Sequence, residues 1–227
     1  GGSLVYTLQL YFDFSGYSEM AIGLGLLFNY NLPLNFNLPY RATSIIDFWR
    51  RWHMTLSAFL KNYLYIPLGG NRTGHHLRNI MITMFLGGLW HGAGWTFIFW
   101  GVLHGIYICI NHLWRKTKYT LPQWMNWLLT FNAVNIAWIF FRAASFNDAL
   151  NILIAMFDVT NISGGAIALK HITGLLGIIV LVLIGIDTVK FEKEFVPNYL
   201  WLIILVLMYI YPVLKLGQVT QFLYFQF

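Results

Sequence analysis

Two histidines in this chain stand among residues suited to proton transfer. His91 lies in Gly87-Gly88-Leu89-Trp90-His91-Gly92-Ala93-Gly94, an imidazole inside an apolar stretch and bracketed by glycines. A side chain with an ordinary pKa of about 6.5 shuttles protons near neutrality. Glycines at such density interrupt a helix and let another backbone or a substrate approach closely, which predicts room around the imidazole. The competing reading is a buried histidine hydrogen-bonded across a helix interface. His53 ends the run Asp47-Phe48-Trp49-Arg50-Arg51-Trp52-His53. On a helix it shares a face with Trp49 and Arg50 at i−4 and i−3, so an imidazole and a guanidinium would reach one cavity, suited to the carbonyl or phosphate groups of an acyl donor. Against this stands an interfacial helix whose arginines snorkel to lipid phosphates while its tryptophans form an aromatic belt.

Other chemistries find less support. His104, before Gly105, reads as a packing residue. No His-x3-His or His-Glu-x2-His spacing occurs, and the side chains of His75 and His76 diverge on a helix, so no metal site is expected. The Gly-x-Ser-x-Gly elbow and the Gly-x4-Gly-Lys-Ser/Thr phosphate loop are both absent. Phe12-Asp13-Phe14-Ser15-Gly16-Tyr17-Ser18-Glu19 brings a carboxylate and two hydroxyls into an apolar segment, where they serve either a site or helix packing.

The elements that must position these groups are set by composition. Of 227 residues, 58% are hydrophobic and only 10% charged, against about 25% charged in soluble domains. Too few polar groups exist to cover a water-facing surface, so the apolar excess faces hydrocarbon. The net charge of +6 is scattered, giving no reason to expect nucleic acid, and Cys109 is a lone thiol that excludes a disulfide framework. Leu4 to Phe28, Trp124 to Phe141, Ile172 to Ile186 and Tyr199 to Leu214 read as spans, with Asn132 and Asn135 making the second polar inside. Ile80 to Leu113 is too long for one straight span and reads as two helical pieces meeting at the glycines. Ser44 to Tyr65 carries too many charges for lipid and reads as one amphipathic helix, capped by Ser44 and supported by Asp47 with Arg51 at i,i+4. Phe146 to Phe157, behind Ser145, is a second amphipathic candidate.

Basic residues concentrate at Lys61 to Arg78 and at Arg115 to Lys118, on either side of the broken segment. The positive-inside rule places both on the cytoplasmic face, so that the segment enters and returns; a single crossing with basic loops on both sides is the alternative. No repeat or pooled linker divides the chain, so residues 1–227 read as one domain. The opening Gly-Gly-Ser-Leu, with no initiator Met and no signal peptide, suggests a portion of a longer protein.

Four ordered blocks now carry a resemblance: Tyr11-Phe12-Asp13-Phe14-Ser15-Gly16-Tyr17-Ser18, Phe48-Trp49-Arg50-Arg51-Trp52-His53, Tyr63-Leu64-Tyr65-Ile66-Pro67-Leu68-Gly69-Gly70-Asn71-Arg72 and Gly87-Gly88-Leu89-Trp90-His91-Gly92. Together they resemble the membrane-bound O-acyltransferases, in particular the branch of alginate O-acetyltransferases and related bacterial polysaccharide O-acetylases. The blocks cover the first half of the chain, and Phe222 to Phe227 resembles the family's C-terminus. Family members carry further transmembrane helices ahead of the first block, so this chain looks like a C-terminal portion.

The resemblance implies an all-α, polytopic protein of the bacterial inner membrane. It implies that His91 is the active-site histidine and His53 a second histidine on the same central tunnel. His91 would take the proton of a sugar hydroxyl attacking an acyl thioester, while His53 orients a reactant or polarises the carbonyl. Trp49, Arg50, Arg51, Trp90 and Asp13 are the implied substrate-binding residues. The donor would be acetyl-CoA or an acyl-carrier thioester, with no bound cofactor and no metal. The expected partners are membrane lipid and a periplasmic acetyl-accepting protein. The D-alanyl transferases of teichoic acid share the Arg-Trp-His and Trp-His-Gly signals and are the nearest alternative; Ile66 to Arg72 and the Gly-Gly before Leu89 favour the acetylases. Lys61-Asn62-Tyr63 departs from the family, which usually has Asp before the Tyr. Outside this family, the same intramembrane His and acids suit a transporter fragment, and a chain without the earlier spans suits an inactive remnant.

Overall fold

The structure, a computed structural model, describes residues 2–157, Gly177, Val180 and residues 194–215. Apart from Gly177 and Val180, the expected span Ile172 to Ile186 lies outside the described residues, as does the terminal Phe222 to Phe227. The chain divides into two compact units, Gly1–Gly185 and Ile186–Phe227. In the second, α8 (Tyr199–Lys215) is the apolar helix anticipated at Tyr199 to Leu214.

The first unit is all-α among the described residues. Its helices are α1 (Gly2–Leu27), α2 (Ile45–Trp49), α3 (Met54–Leu60), α4 (His76–His91), α5 (Trp95–Trp114), α6 (Gln123–Arg142) and α7 (Phe146–Phe157). Short 3-10 and π turns, Pro39–Arg41 and Lys61–Tyr65, lie between them. Of the described helices, α5 is both long and apolar enough to cross a bilayer, at about 30 Å for 20 residues.

An aromatic core holds the unit together. Phe36, Tyr40, Phe48, Trp52, Trp100, Trp138 and Phe141 are all buried and share one cluster. Trp100 and Trp138 stack at 5.8 Å, Phe48 and Trp52 at 5.7 Å, so α5 and α6 close on the short α2 segment between them. Some of the buried polar groups pair across elements. Thr7 on α1 donates its hydroxyl to Oδ1 of Asn135 on α6 at 2.8 Å, and Tyr40 donates to the Thr7 carbonyl at 2.7 Å. Asn135 is thus buried as its sequence position suggests. Asn132, by contrast, is exposed and bonds the Leu128 carbonyl of its own helix.

The segment Ser44 to Tyr65 is not one helix. Its cap is as expected, with Asp47 N–H donating to Ser44 Oγ at 3.1 Å, but α2 ends after five residues. His53 takes a left-handed backbone, φ 41° and ψ 58°, before α3 begins. That conformation costs an L-residue about 1–2 kcal/mol, and the buried aromatics on both sides hold it in place. Ser145 caps α7 as anticipated, accepting the Asp148 N–H at 3.1 Å.

The Ile80 to Leu113 segment does break, but at Gly92 to Gly94. Gly87 and Gly88 lie inside α4. A Cβ on Gly88 would sit 2.5 Å from the Phe97 carbonyl oxygen and 3.1 Å from Gly101 Cα, so this glycine lets α4 and α5 approach backbone to backbone. The two helices form an antiparallel hairpin. Its open end is closed by the His76 and His112 rings at 5.7 Å and by Cys109 Sγ on the Leu77 carbonyl. The basic stretches before α4 and after α5 consequently lie at the same end, the arrangement of a segment that enters and returns.

Candidate functional site

His91 is the last residue of α4, directly ahead of the glycine turn. Its ring stands edge-on to Trp100 at 5.1 Å and 90° and to Phe141 at 5.1 Å and 82°, with Trp90 at 4.9 Å. Walls therefore come from α4, α5 and α6 together. The imidazole nitrogens make no hydrogen bond among the described residues, which leaves both free for a reactant. Gly92 and Gly94 keep the Phe97 ring close by: a Cβ on Gly92 would meet it at 2.9 Å. Gly88 thus joins the two helices, while Gly92 and Gly94 accommodate an aromatic at the turn.

His53 comes from the break between α2 and α3. Thr55 donates both its backbone N–H (3.3 Å) and its hydroxyl (2.6 Å) to Asn35 Oδ1, which identifies that atom as an oxygen. His53 Nδ1 faces the same oxygen at 3.3 Å and so carries the ring proton. Its Nε2 keeps the lone pair. Phe14 of α1 packs edge-on against the ring at 4.7 Å and 90°. Burial pushes this imidazole down to about 4, so it is neutral at pH 7. His53 lies near enough to His91 for a charge on one ring to be felt by the other. The structure therefore brings together the two histidines singled out from sequence, on elements separated by an entire hairpin arm.

The remaining anticipated residues scatter. Because α2 ends at Trp49, His53 does not share a helix face with Trp49 and Arg50. Trp49 instead donates its indole N–H to Nδ1 of the fully buried His104 at 3.3 Å and packs edge-on to Trp100 at 5.8 Å. His104 is thus the packing histidine expected. Arg51 is committed to Asp47 (Nε to Oδ1, 3.0 Å) and reaches toward the Asn37 carbonyl at 3.4 Å, fastening the turn rather than facing a ligand. Arg50 is exposed and lines a cavity of about 510 Å³ with Arg115, near the C-terminal end of α5. Asp13 is half-buried on α1 and takes a hydrogen bond from Gln9, without an ion pair to either histidine. Trp90 touches His91 while remaining 60% exposed.

Asn35, Trp100 and Phe141 are the site residues that sequence reasoning missed. Asn35 precedes His53 by 18 residues in an irregular loop, and no local spacing announces such a pairing. Trp100 and Phe141 look like ordinary apolar helix positions until the hairpin turns them onto His91.

Comparison with known proteins bears on what this arrangement does. The family model described as membrane-bound O-acyltransferase matches residues 2–147. A peptidoglycan O-acetyltransferase of Helicobacter pylori is 56% identical over 167 residues, 71% of this chain and 32% of that protein. A protein of Azotobacter vinelandii named "Probable alginate O-acetylase AlgI" is 51% identical over 162 residues, 69% of this chain and 32% of its own length. A teichoic acid D-alanyltransferase of Streptococcus thermophilus is 33% identical over 132 residues, 54% of this chain and 32% of that protein. The chain spans about a third of the length of these curated relatives.

Proposed function

Because this chain belongs to the membrane-bound O-acyltransferase family, we propose that the protein carrying it transfers an acetyl group from a thioester donor, acetyl-CoA or an acyl carrier, to hydroxyls of a cell-surface glycan. Its setting is the bacterial inner membrane, crossed several times, with a periplasmic acetyl-accepting protein as partner. The observation that supports this reading best is a pair of imidazoles from separate elements, His91 edge-on to Trp100 and His53 edge-on to Phe14, near enough for a charge on one ring to be felt by the other.

In the proposed reaction a hydroxyl oxygen attacks the thioester carbonyl carbon as His91 takes the hydroxyl proton. The tetrahedral intermediate collapses, the carbon–sulfur bond breaks, and the departing thiolate receives that proton from the imidazolium. Ester and free thiol are the products, and His91 ends neutral. The lone pair on His53 Nε2 makes this ring an acceptor in its neutral form. Of the two roles anticipated for it, orienting the hydroxyl therefore fits better than polarising the carbonyl. Aromatic walls keep water from competing for the thioester.

Acetyl transfer is preferred to D-alanyl transfer because the 56% and 51% identical relatives are named for O-acetylation, whereas the D-alanyltransferase matches at 33%. The deciding experiment uses the full-length protein in its native membrane, comparing His91→Ala and His91→Gln with the parent at equal membrane level. Loss of glycan-bound acetyl ester in both supports the reading. Retained acetylation overturns it, and a His91-dependent proton flux without acyl transfer would assign the protein to transport instead.

A further inference from the structure

The cavity beside Arg50 continues into a second one of about 320 Å³. Thr43, Ser44, Asn111, Trp114, Leu121 and Asn126 line both, so the two are one continuous groove. Its ends differ in chemistry. At one end stand two exposed guanidinium groups, Arg50 and Arg115, with the hydroxyls of Thr117 and Tyr119. Asp47 also faces this end, but its carboxylate is already held by Arg51 at 3.0 Å. At the other end the walls are Tyr107, Ile110, Leu129 and Ala133, from the facing sides of α5 and α6. Ile110 and Leu129 are 56% and 58% exposed, so this half opens sideways along a helix long and apolar enough to cross a bilayer. From Arg115 back to Tyr107 the groove follows α5 for about 12 Å, starting at the basic end of the hairpin.

Two charge forks above an apolar groove on a membrane helix match one kind of molecule. We propose that this groove binds an anionic phospholipid, its phosphate held by Arg50 and Arg115 and one acyl chain lying between α5 and α6. Guanidinium groups grip phosphate oxygens through paired N–H donors. Trp114, at the junction of the two halves, sits where an indole belongs at the level of lipid headgroups. Tyr107, Asn111 and Trp114 continue along α5 the face that carries Trp100 and His104, with the Tyr107 ring 5.9 Å from His104, so the groove lies beyond these rings, toward the basic end of the hairpin. None of the residues lining the groove is in ring or hydrogen-bond contact with His91 or His53, so the test of lipid binding does not depend on the reading above.

The test is lipid retention by the full-length protein, purified in neutral detergent and examined by native mass spectrometry with added phosphatidylglycerol or phosphatidylcholine. The parent should retain phosphatidylglycerol at least about fivefold more than phosphatidylcholine, as expected of paired guanidinium recognition. Arg50→Ala with Arg115→Ala should remove that preference, and both positions are exposed, so the fold is left intact. Leu129→Trp, which fills the apolar half, should lower retention of phosphatidylglycerol while the arginines remain. An unchanged preference in the double variant overturns the proposal. So does absence of retention in the parent, which would mean that other segments of the protein cover the groove. Displacement of the lipid by equimolar free coenzyme A overturns it too, giving the basic end to a thioester donor.

Discussion

Gly88 on α4 and Gly101 on α5 face each other so closely that neither could carry a methyl group without displacing backbone. Helix pairs in lipid gain stability from such contact, because apolar side chains have no water to escape. His91 follows Gly88 by three residues, just short of one turn, so the same contact fixes where the candidate base stands against Trp100.

Gly88→Ala and Gly101→Ala should each destabilise the folded protein by about 1–3 kcal/mol through overpacking against backbone that cannot yield. At Gly16 and Gly23 on α1 an added Cβ would meet nothing within 4 Å, and alanine there should leave stability unchanged or raise it by up to about 1 kcal/mol. Thermal unfolding of the detergent-solubilised protein separates the two pairs. Equal effects from both would remove close helix approach as the explanation.

Asn35→Ala withdraws the acceptor that fixes the His53 tautomer and also strips two hydrogen bonds from Thr55. Acyl transfer should fall about tenfold or more, given that general acid–base geometry contributes about 10²–10⁴-fold in all. Asn35→Asp should shift the acid limb of the pH–activity profile upward, since a carboxylate beside Nδ1 favours the charged ring. An unaltered profile in Asn35→Asp would show that this position does not govern the histidine.

The protonation of His53 predicts a pH dependence of stability. Its folded-state value is pushed down to about 4 from an ordinary 6.5, so the unfolded chain binds more protons between those limits. Stability from keeping His53 neutral is whole above about pH 6.5, is lost as pH falls toward 4, and changes no further below that. His53→Phe should therefore show a shallower decline over about pH 6.5 to 4 than the parent in denaturant titrations. Parallel curves would contradict the assignment.

Trp49→Phe leaves His104 Nδ1 buried with no donor, while His104→Phe leaves the Trp49 N–H without an acceptor. Each should cost about 1–3 kcal/mol, and the double variant should cost less than their sum. Strict additivity in the cycle would deny the 3.3 Å bond any energetic weight.

Much of the fold was written in local pattern. The caps at Ser44 and Ser145, the Asp47–Arg51 pair, the long α1 and the interruption near His91 all depend on residues within a few positions of one another. What escaped was decided by contacts distant in sequence. The continuous amphipathic pattern from Phe48 to Leu60 gave no sign of a left-handed residue at His53, because the aromatic neighbours that stabilise it come from other elements. Gly87 and Gly88 looked like helix breakers, yet a glycine serves equally to admit a neighbouring helix, and only the partner reveals which. The histidine pair was legible as two separate candidates; their proximity required the hairpin.

That hairpin has an arithmetic consequence. Since its two arms start and finish at one end, the stretch from His76 to Trp114 adds an even number to the tally of bilayer passages, whether that number is zero or two. Reporter enzymes spliced in at Gly74 and at Lys118 must therefore signal from the same compartment, and every passage that carries the polypeptide to the opposite one has to be sought elsewhere along it.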